Sequence, residues 1–180
     1  MESGTARLVL RPPRLSEAPD LFAVLGDAEA MRLTQASASL RDCRRRIAAH
    51  ERRRRHDGCA PWTLRERASG RIVGWGGLYR DPFDPGWGVE VGYFLHPSVQ
   101  GRGLATELVA ACIALARGVL RLPDLLAFAH PENAASRRVL RKSGFAEERF
   151  LPAMNRILYR RNLGSAVIPA GVPTPERMEC

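Results

Sequence analysis

Lysine is almost absent from this chain: Lys142 stands alone, and every other residue among the 28 basic ones is arginine. With only 19 acidic residues the formal charge is +9, a value that raises the question of nucleic acid. Aromatic residues are scarce, 7% of the chain, and none is interleaved with the densest basic runs at 44–46 and 52–55. A stacking platform for single strands needs that interleaving, so the arginines are expected to form a solvated helix face, and nucleic acid is not the expected partner. The four cysteines, Cys43, Cys59, Cys112 and Cys180, form no C-x-x-C pair and have no histidine at zinc-finger spacing, so neither a disulfide scaffold nor a metal centre is expected. Long apolar runs are missing too, and the start, 1–5, is polar. A cytoplasmic protein with no membrane partner is the expectation.

What remains suits one compact domain: 180 residues, 45% hydrophobic and 26% charged. Short β-rich runs bounded by turn residues predict strands at 7–11, 62–67, 71–79, 87–95, 125–130, 145–150 and 156–162. Ala68-Ser69-Gly70 is hairpin chemistry between the second and third of these. Helical spacing predicts a helix through Leu21, Phe22 and Leu25 capped by Ser16, and a second over 42–55. A third over 103–120 carries Leu104, Leu108, Cys112, Leu115 and Val119. The fourth, 133–142, closes on Ser143-Gly144. The order is β-α-α-β-β-β-α-β-α-β-β, a mixed α/β or α+β fold in one domain over 1–163, with 164–180 expected to be a flexible tail.

The informative segment runs from Val89 to Glu107. A strand passes through Gln100-Gly101-Arg102-Gly103 directly into a helix, and that geometry leaves unpaired backbone N–H groups at the positive end of the helix dipole. Gly101 and Gly103 let an anion approach the backbone, and a pyrophosphate is the natural guest. Neither the Walker pattern nor a dinucleotide G-x-G-x-x-G is present. Gly92 inside the preceding strand predicts a bulge or a close backbone approach.

Three ordered blocks then resemble a known family. Glu90-Val91-Gly92-Tyr93-Phe94-Leu95 with Gln100-Gly101-Arg102-Gly103-Leu104-Ala105, next Pro131-Glu132-Asn133-Ala134-Ala135-Ser136, and finally Lys142-Ser143-Gly144-Phe145 look like the GNAT superfamily of N-acetyltransferases. The nearest branch contains the ribosomal-protein alanine N-acetyltransferases. The resemblance implies a mixed central sheet with a bulged, splayed strand flanked by helices, and a homodimer would be ordinary for it. It implies acetyl-CoA as co-substrate, no metal, and an amine acceptor that is either a small molecule or a protein N-terminus, attacked directly in a ternary complex. An electropositive protein would attract the phosphates of that cofactor. The backbone of Gln100, Gly101, Arg102, Gly103, Leu104, Ala105 and Thr106 would hold the pyrophosphate. The backbone of Tyr93, Phe94 and Leu95 would run beside the pantetheine, and Asn133 would reach the pantetheine or a bridging water.

Amine attack on a thioester needs a base, and Glu90 is the first candidate, with His96 and His130 as alternatives. Many family members carry a tyrosine four residues before the glycine of the Gly-Phe ending, as general acid; here Leu140 stands in its place. Two alternatives are left: Ser136 stabilises the leaving thiolate, or water protonates it. That departure motivates an alternative function, a regulatory protein that binds acetyl-CoA without turnover.

Overall fold

A computed structural model describes residues 3–164 and shows one eight-stranded sheet ordered β1-β2-β3-β4-β5-β6-β8-β7. The strands are β1 (Ser3–Gly4), β2 (Leu8–Arg11), β3 (Trp62–Glu66), β4 (Ile72–Tyr79), β5 (Glu90–Leu95), β6 (Asp124–Ala129), β7 (Ala146–Leu151) and β8 (Arg156–Asn162). The helices are α1 (Ala18–Leu25), α2 (Leu40–Asp57), α3 (Leu104–Gly118) and α4 (Ala134–Lys142). The predicted element order is therefore present, with the two-residue β1 added at one edge. Of the predicted tail at 164–180 only Gly164 is described, its N–H donating to the Asn162 side chain at 2.7 Å; residues 165–180 lie outside the described residues.

Every neighbouring pair is antiparallel except β5 and β6, which run parallel and pair only at Glu90 and Leu126. Beyond that pair the two strands part, and the sheet splays open in its middle. A bulge, one of the two readings of Gly92, is not found in the β4–β5 ladder, whose register runs unbroken from Gly74 opposite Leu95 to Tyr79 opposite Glu90. Divergence from β6 opens the cleft instead. Register shifts occur elsewhere, at Leu64/Arg65 and at Glu147/Arg149.

Helices cover both faces. Leu104, Leu108, Cys112 and Ala116 recur every four residues along α3 and are fully buried with Leu78, Val91, Leu125 and Ala127 of the sheet. On the other face α1 and α2 bring Leu21, Leu25, Cys43 and Ile47 against Trp75. Ser39 caps α2, accepting the Asp42 N–H at 3.1 Å, and Gly58 closes it. Among the described residues no helix is long and apolar enough to cross a membrane.

Two local expectations give way to tertiary context. Ser16 does not cap α1: it sits inside a 3₁₀ turn, Leu15–Glu17, and Glu17 holds the cap position. The Glu17 carboxylate is drawn inward by Arg11 and Arg65, accepts the Arg14 N–H at 3.1 Å and the Thr63 hydroxyl at 3.3 Å, and so fixes that turn. The strand predicted from residue 87 starts only at Glu90, because Pro85–Trp87 forms a 3₁₀ turn followed by Gly88 at φ 107°.

Candidate functional site

The loop from Gln100 to Gly103 ends on a left-handed Gly103, φ 80°, which serves as the N-cap of α3 with no side chain capping it. A Cβ at Gly103 would find only the Arg7 guanidinium, 3.4 Å away. The Gln100 N–H bonds Pro97 and the Glu107 N–H bonds Gly103, but between them the N–H groups of Gly101, Arg102, Gly103, Leu104, Ala105 and Thr106 find no acceptor among the described residues. Six successive free donors at a helix N-terminus form an anion cradle. The side chains around it serve as braces. Arg102 is taken up by Glu66 at 2.6 Å, its carbonyl accepts from Arg7 at 2.7 Å, and Arg7 pairs with Glu107 at 2.7 Å. Gln100 reaches back to the Leu95 carbonyl at 3.1 Å. The Leu104 side chain is buried in the core, so this residue can offer an anion only its N–H.

The splay lies directly upstream. Leu126 N–H donates to the Val89 carbonyl at 3.2 Å, which turns the backbone of odd-numbered β5 residues toward β6 and of even-numbered ones toward β4. His96 N–H bonding Val73 at 2.9 Å follows the same alternation. Tyr93 and Leu95 therefore line the open edge with their backbone groups. Phe94 does not: its amide groups belong to the ladder opposite Trp75, so its expected place beside the pantetheine is corrected.

Across the cleft, Asn133 caps α4 by accepting the Ser136 N–H at 3.0 Å. Ser136 in turn meets the Tyr93 hydroxyl at 3.0 Å, so a phenol and an alcohol stand together at the mouth of the splay. Burial pushes the Tyr93 phenol up to about 12, with the Ser136 bond opposing. Leu140 is buried in the core and offers this cleft nothing.

Glu90 is 8% exposed at the closed end of the splay, and its carboxylate makes no hydrogen bond among the described residues. Burial, with Asp81 and Asp84 adding repulsion, raises its carboxyl to about 8. Glu90, Gly92 and Phe94 alternate onto the α2 face of the sheet. Tyr79 crosses this face so closely that a Cβ on Gly92 would stand 2.5 Å from its hydroxyl, which explains the glycine better than a bulge does. His50 of α2 packs edge-on against Trp75 and Tyr79, ring centroids 4.9 and 5.1 Å away. Burial, then Arg46 and Arg54, lower His50 to about 3, so it stays neutral.

The other two candidate bases lie elsewhere. His96 bonds Ser98 at 2.8 Å on the loop after β5, and His130 accepts from Glu132 N–H at 3.2 Å and meets the Asn155 amide at 3.0 Å. The Tyr93 phenol, His50 and the action of Asp81 and Asp84 on Glu90 were missed from the sequence. Tyr93 and Ser136 are 43 residues apart, and no local pattern joins them. Asp81 and Asp84 read only as turn residues, although their place directly before the strand that begins with Glu90 was a usable signal.

Comparison with known proteins fits this architecture. A mycothiol acetyltransferase of Acidothermus cellulolyticus is 37% identical over 89 residues, 49% of this chain and 25% of that protein. The probable N-acetyltransferase YjcK of Bacillus subtilis is 30% identical over 105 residues, 58% of each chain. The chain thus spans between a quarter and about three fifths of the curated relatives it matches. The crystal structure of the ribosomal-protein-S5-alanine acetyltransferase from Vibrio fischeri shares the fold with a TM-score of 0.71 at 18% identity, over 90% of this chain and 96% of that one. A family model described as the acetyltransferase (GNAT) domain matches residues 7–146, across both the cradle and the splay, and the chain belongs to that family.

Proposed function

We propose that the protein is an N-acetyltransferase that moves the acetyl group of acetyl-CoA to a primary amine, on a small molecule or a protein N-terminus, by direct attack in a ternary complex. The single observation that carries this reading is the run of free N–H groups from Gly101 to Thr106 at the N-terminus of α3, beside an open strand edge. Phosphate oxygens suit the first feature, and an amide-bearing chain laid along Tyr93 and Leu95 suits the second. Acetyl-CoA, when bound, supplies the thioester. The family model and the relatives named acetyltransferases support the class of reaction.

The residues divide the remaining work. Glu90, ionised, takes a proton from the acceptor ammonium, directly or through a water, and frees the nitrogen lone pair. The N–C bond forms as the C–S bond breaks, and the thiolate leaves with the bonding pair. The Tyr93 N–H on the open edge would donate to the carbonyl oxygen as charge develops there. The Tyr93 hydroxyl, paired with Ser136 at 3.0 Å, serves as the proton source for the thiolate. As the amide forms, its nitrogen sheds a second proton, which restores the Tyr93 hydroxyl through Ser136 or a water, and the proton on Glu90 returns to solvent, so that one proton is released in all.

Isothermal titration with acetyl-CoA tests the reading, with Gly103→Glu as the control that puts a carboxylate into the cradle. Binding by the wild type and its loss in a folded Gly103→Glu variant, followed by thiol release with an amine panel, is the expected result. A wild type that does not bind acetyl-CoA overturns it.

A further inference from the structure

The loop after α1 and the open end of the sheet border a cavity of about 430 Å³, a size that takes a small ligand. Residues 32–35 form one wall, and His130, Asn155 and Arg156 form the other. Its charge is of one sign: Arg32 and Arg156 line it, and no carboxylate does. Elsewhere arginines find acids. Arg7 pairs with Glu107, Arg11 and Arg65 with Glu17, Arg102 with Glu66, and Arg160 with Asp124 and Glu148. Arg32 and Arg156 form no ion pair among the described residues, and Arg156 is half-buried, its Nη1 donating to the Asn155 carbonyl at 2.9 Å. Burial lowers the Arg156 guanidinium from its ordinary value, with no carboxylate to oppose it. Two arginines from different elements, one of them drawn from water without a counter-ion, offer N–H forks to an anion. His130 braces this wall, since Nδ1 accepts the Glu132 N–H at 3.2 Å and Nε2 meets the Asn155 amide at 3.0 Å.

The cavity stands beside the cleft. Glu90 pairs with Leu126, and from that pair Tyr93 lies three residues along β5 while His130 lies four along the chain of β6. At about 3.3 Å per residue both sit roughly 10–13 Å from the closed end, one on each side of the gap. The other wall is tied to β5. Arg46 donates to the Gln35 carbonyl at 3.1 Å and lies over the Trp75 and Phe94 rings, 5.9 and 5.7 Å from their centroids. Phe94 shares the α2 face with Glu90, so the cavity bridges the diverging strands on the face that carries the base.

We propose that this cavity takes a carboxylate of the acceptor, so that the substrate is an amine bearing an anionic group held by Arg32 and Arg156. This rests on the acetyltransferase reading and adds the substrate class to it. The amine reaches the thioester beside Tyr93 while the rest of the molecule lies against the two arginines. An acceptor with a second cation meets repulsion at the same place. A small amino acid or dipeptide and a peptide N-terminus followed by an acidic residue share the required chemistry.

The test compares acceptors matched except for the carboxylate. Arms are glycylglycine against glycylglycinamide, and Ala-Glu against Ala-Gln N-terminal peptides with amidated C-termini, with acetyl-CoA saturating. The expected result is a preference in kcat/KM of about tenfold or more for the anionic member of at least one pair, carried mainly by KM. That preference shrinks toward one in Arg32→Gln/Arg156→Gln. The arm that shows it distinguishes a small molecule from a peptide. Equal rates within both pairs, or a preference the double variant keeps, overturn the proposal and leave the acetyltransferase reading intact. Should the double variant not fold, Arg32→Gln alone decides, because Arg32 is exposed: the preference falls by at least about threefold, or the proposal is lost. If no amine turns over, glycylglycine and the Ala-Glu peptide are titrated into the protein with coenzyme A. Binding that the variant loses keeps the anion site, and binding that is absent or survives the variant removes it.

Discussion

Replacing Glu90 by glutamine keeps the shape of the side chain and removes its charge. In the unfolded chain this carboxyl titrates near 4.5, and in the fold near 8, because burial and then Asp81 and Asp84 oppose ionisation. The fold therefore prefers the protonated form. Stability from this group is fully present below about 4.5 and declines as pH rises, until the loss levels off above about 8. At pH 7 the unfolded chain gains roughly 1.4 kcal/mol for each of about two and a half pH units of ionisation the fold refuses, roughly 3–4 kcal/mol in all. Glu90→Gln is thus expected to be more stable than the wild type by roughly 3–4 kcal/mol at pH 7 and by nothing measurable at pH 4. Urea unfolding at a series of pH values measures this directly. The same variant loses acetyl transfer while still binding acetyl-CoA. A difference in stability that does not change with pH, or a variant less stable at pH 7, refutes the electrostatic account of Glu90.

In the wild type, kcat/KM is expected to rise with pH through about 8 as Glu90 loses its proton. Asp81→Asn should move that limb to lower pH, since one repelling charge is gone, and a flat profile from pH 6.5 to 9 counts against Glu90 as base. Tyr93→Phe is expected to lower kcat by about a hundredfold with the dissociation constant for acetyl-CoA changed less than about threefold, as for the loss of a proton donor. A variant with wild-type kcat removes the phenol from the mechanism. Glu17→Ala strands Arg11 and Arg65, whose side chains are 13% and 33% exposed, and should destabilise the fold by about 3–5 kcal/mol in urea unfolding. A loss below about 1 kcal/mol shows that water replaces the carboxylate.

Legibility in the sequence followed the range of the interactions. The cradle was readable because its parts, Gly101, Gly103 and the start of α3, are neighbours in the chain. β8 was bounded to the residue, and Gly144, at φ 76°, ends α4 as its position after Ser143 implied. The Ser16 cap failed because the competing partner, Glu17, answers to Arg65, 48 residues away. Of the two readings of Gly92 the bulge failed and the close approach held, for a related reason: a glycine in a strand reports that something approaches, but not what. Here a tyrosine hydroxyl from the next strand does so, and the cleft comes from a pairing between β5 and β6 that stops after one residue pair. Leu140 replaces a tyrosine in the pattern, yet Tyr93 brings a phenol to Ser136 from another element, a substitution in space that no linear motif can register.

The parting of β5 from β6 gives the sheet an interior edge, and interior edges invite intruders. An extended polypeptide, from this chain or another, carries the same alternating donors and acceptors and could zip into the gap. It would also carry a side chain every 3.3 Å or so, pointing to each face in turn. One face is closed by Tyr93 bonded to Ser136, and Phe94 and Phe128 alternate onto the other. A chain with amides on a bare methylene backbone passes where a peptide strand jams. On this geometry the gap would select guests by bulk rather than by hydrogen bonding, and a peptide strand, including one from a second copy, would be the guest it disfavours. A guest that does fit joins the two halves of the sheet, so saturation at about a hundred times its dissociation constant would raise global stability by about 2.7 kcal/mol.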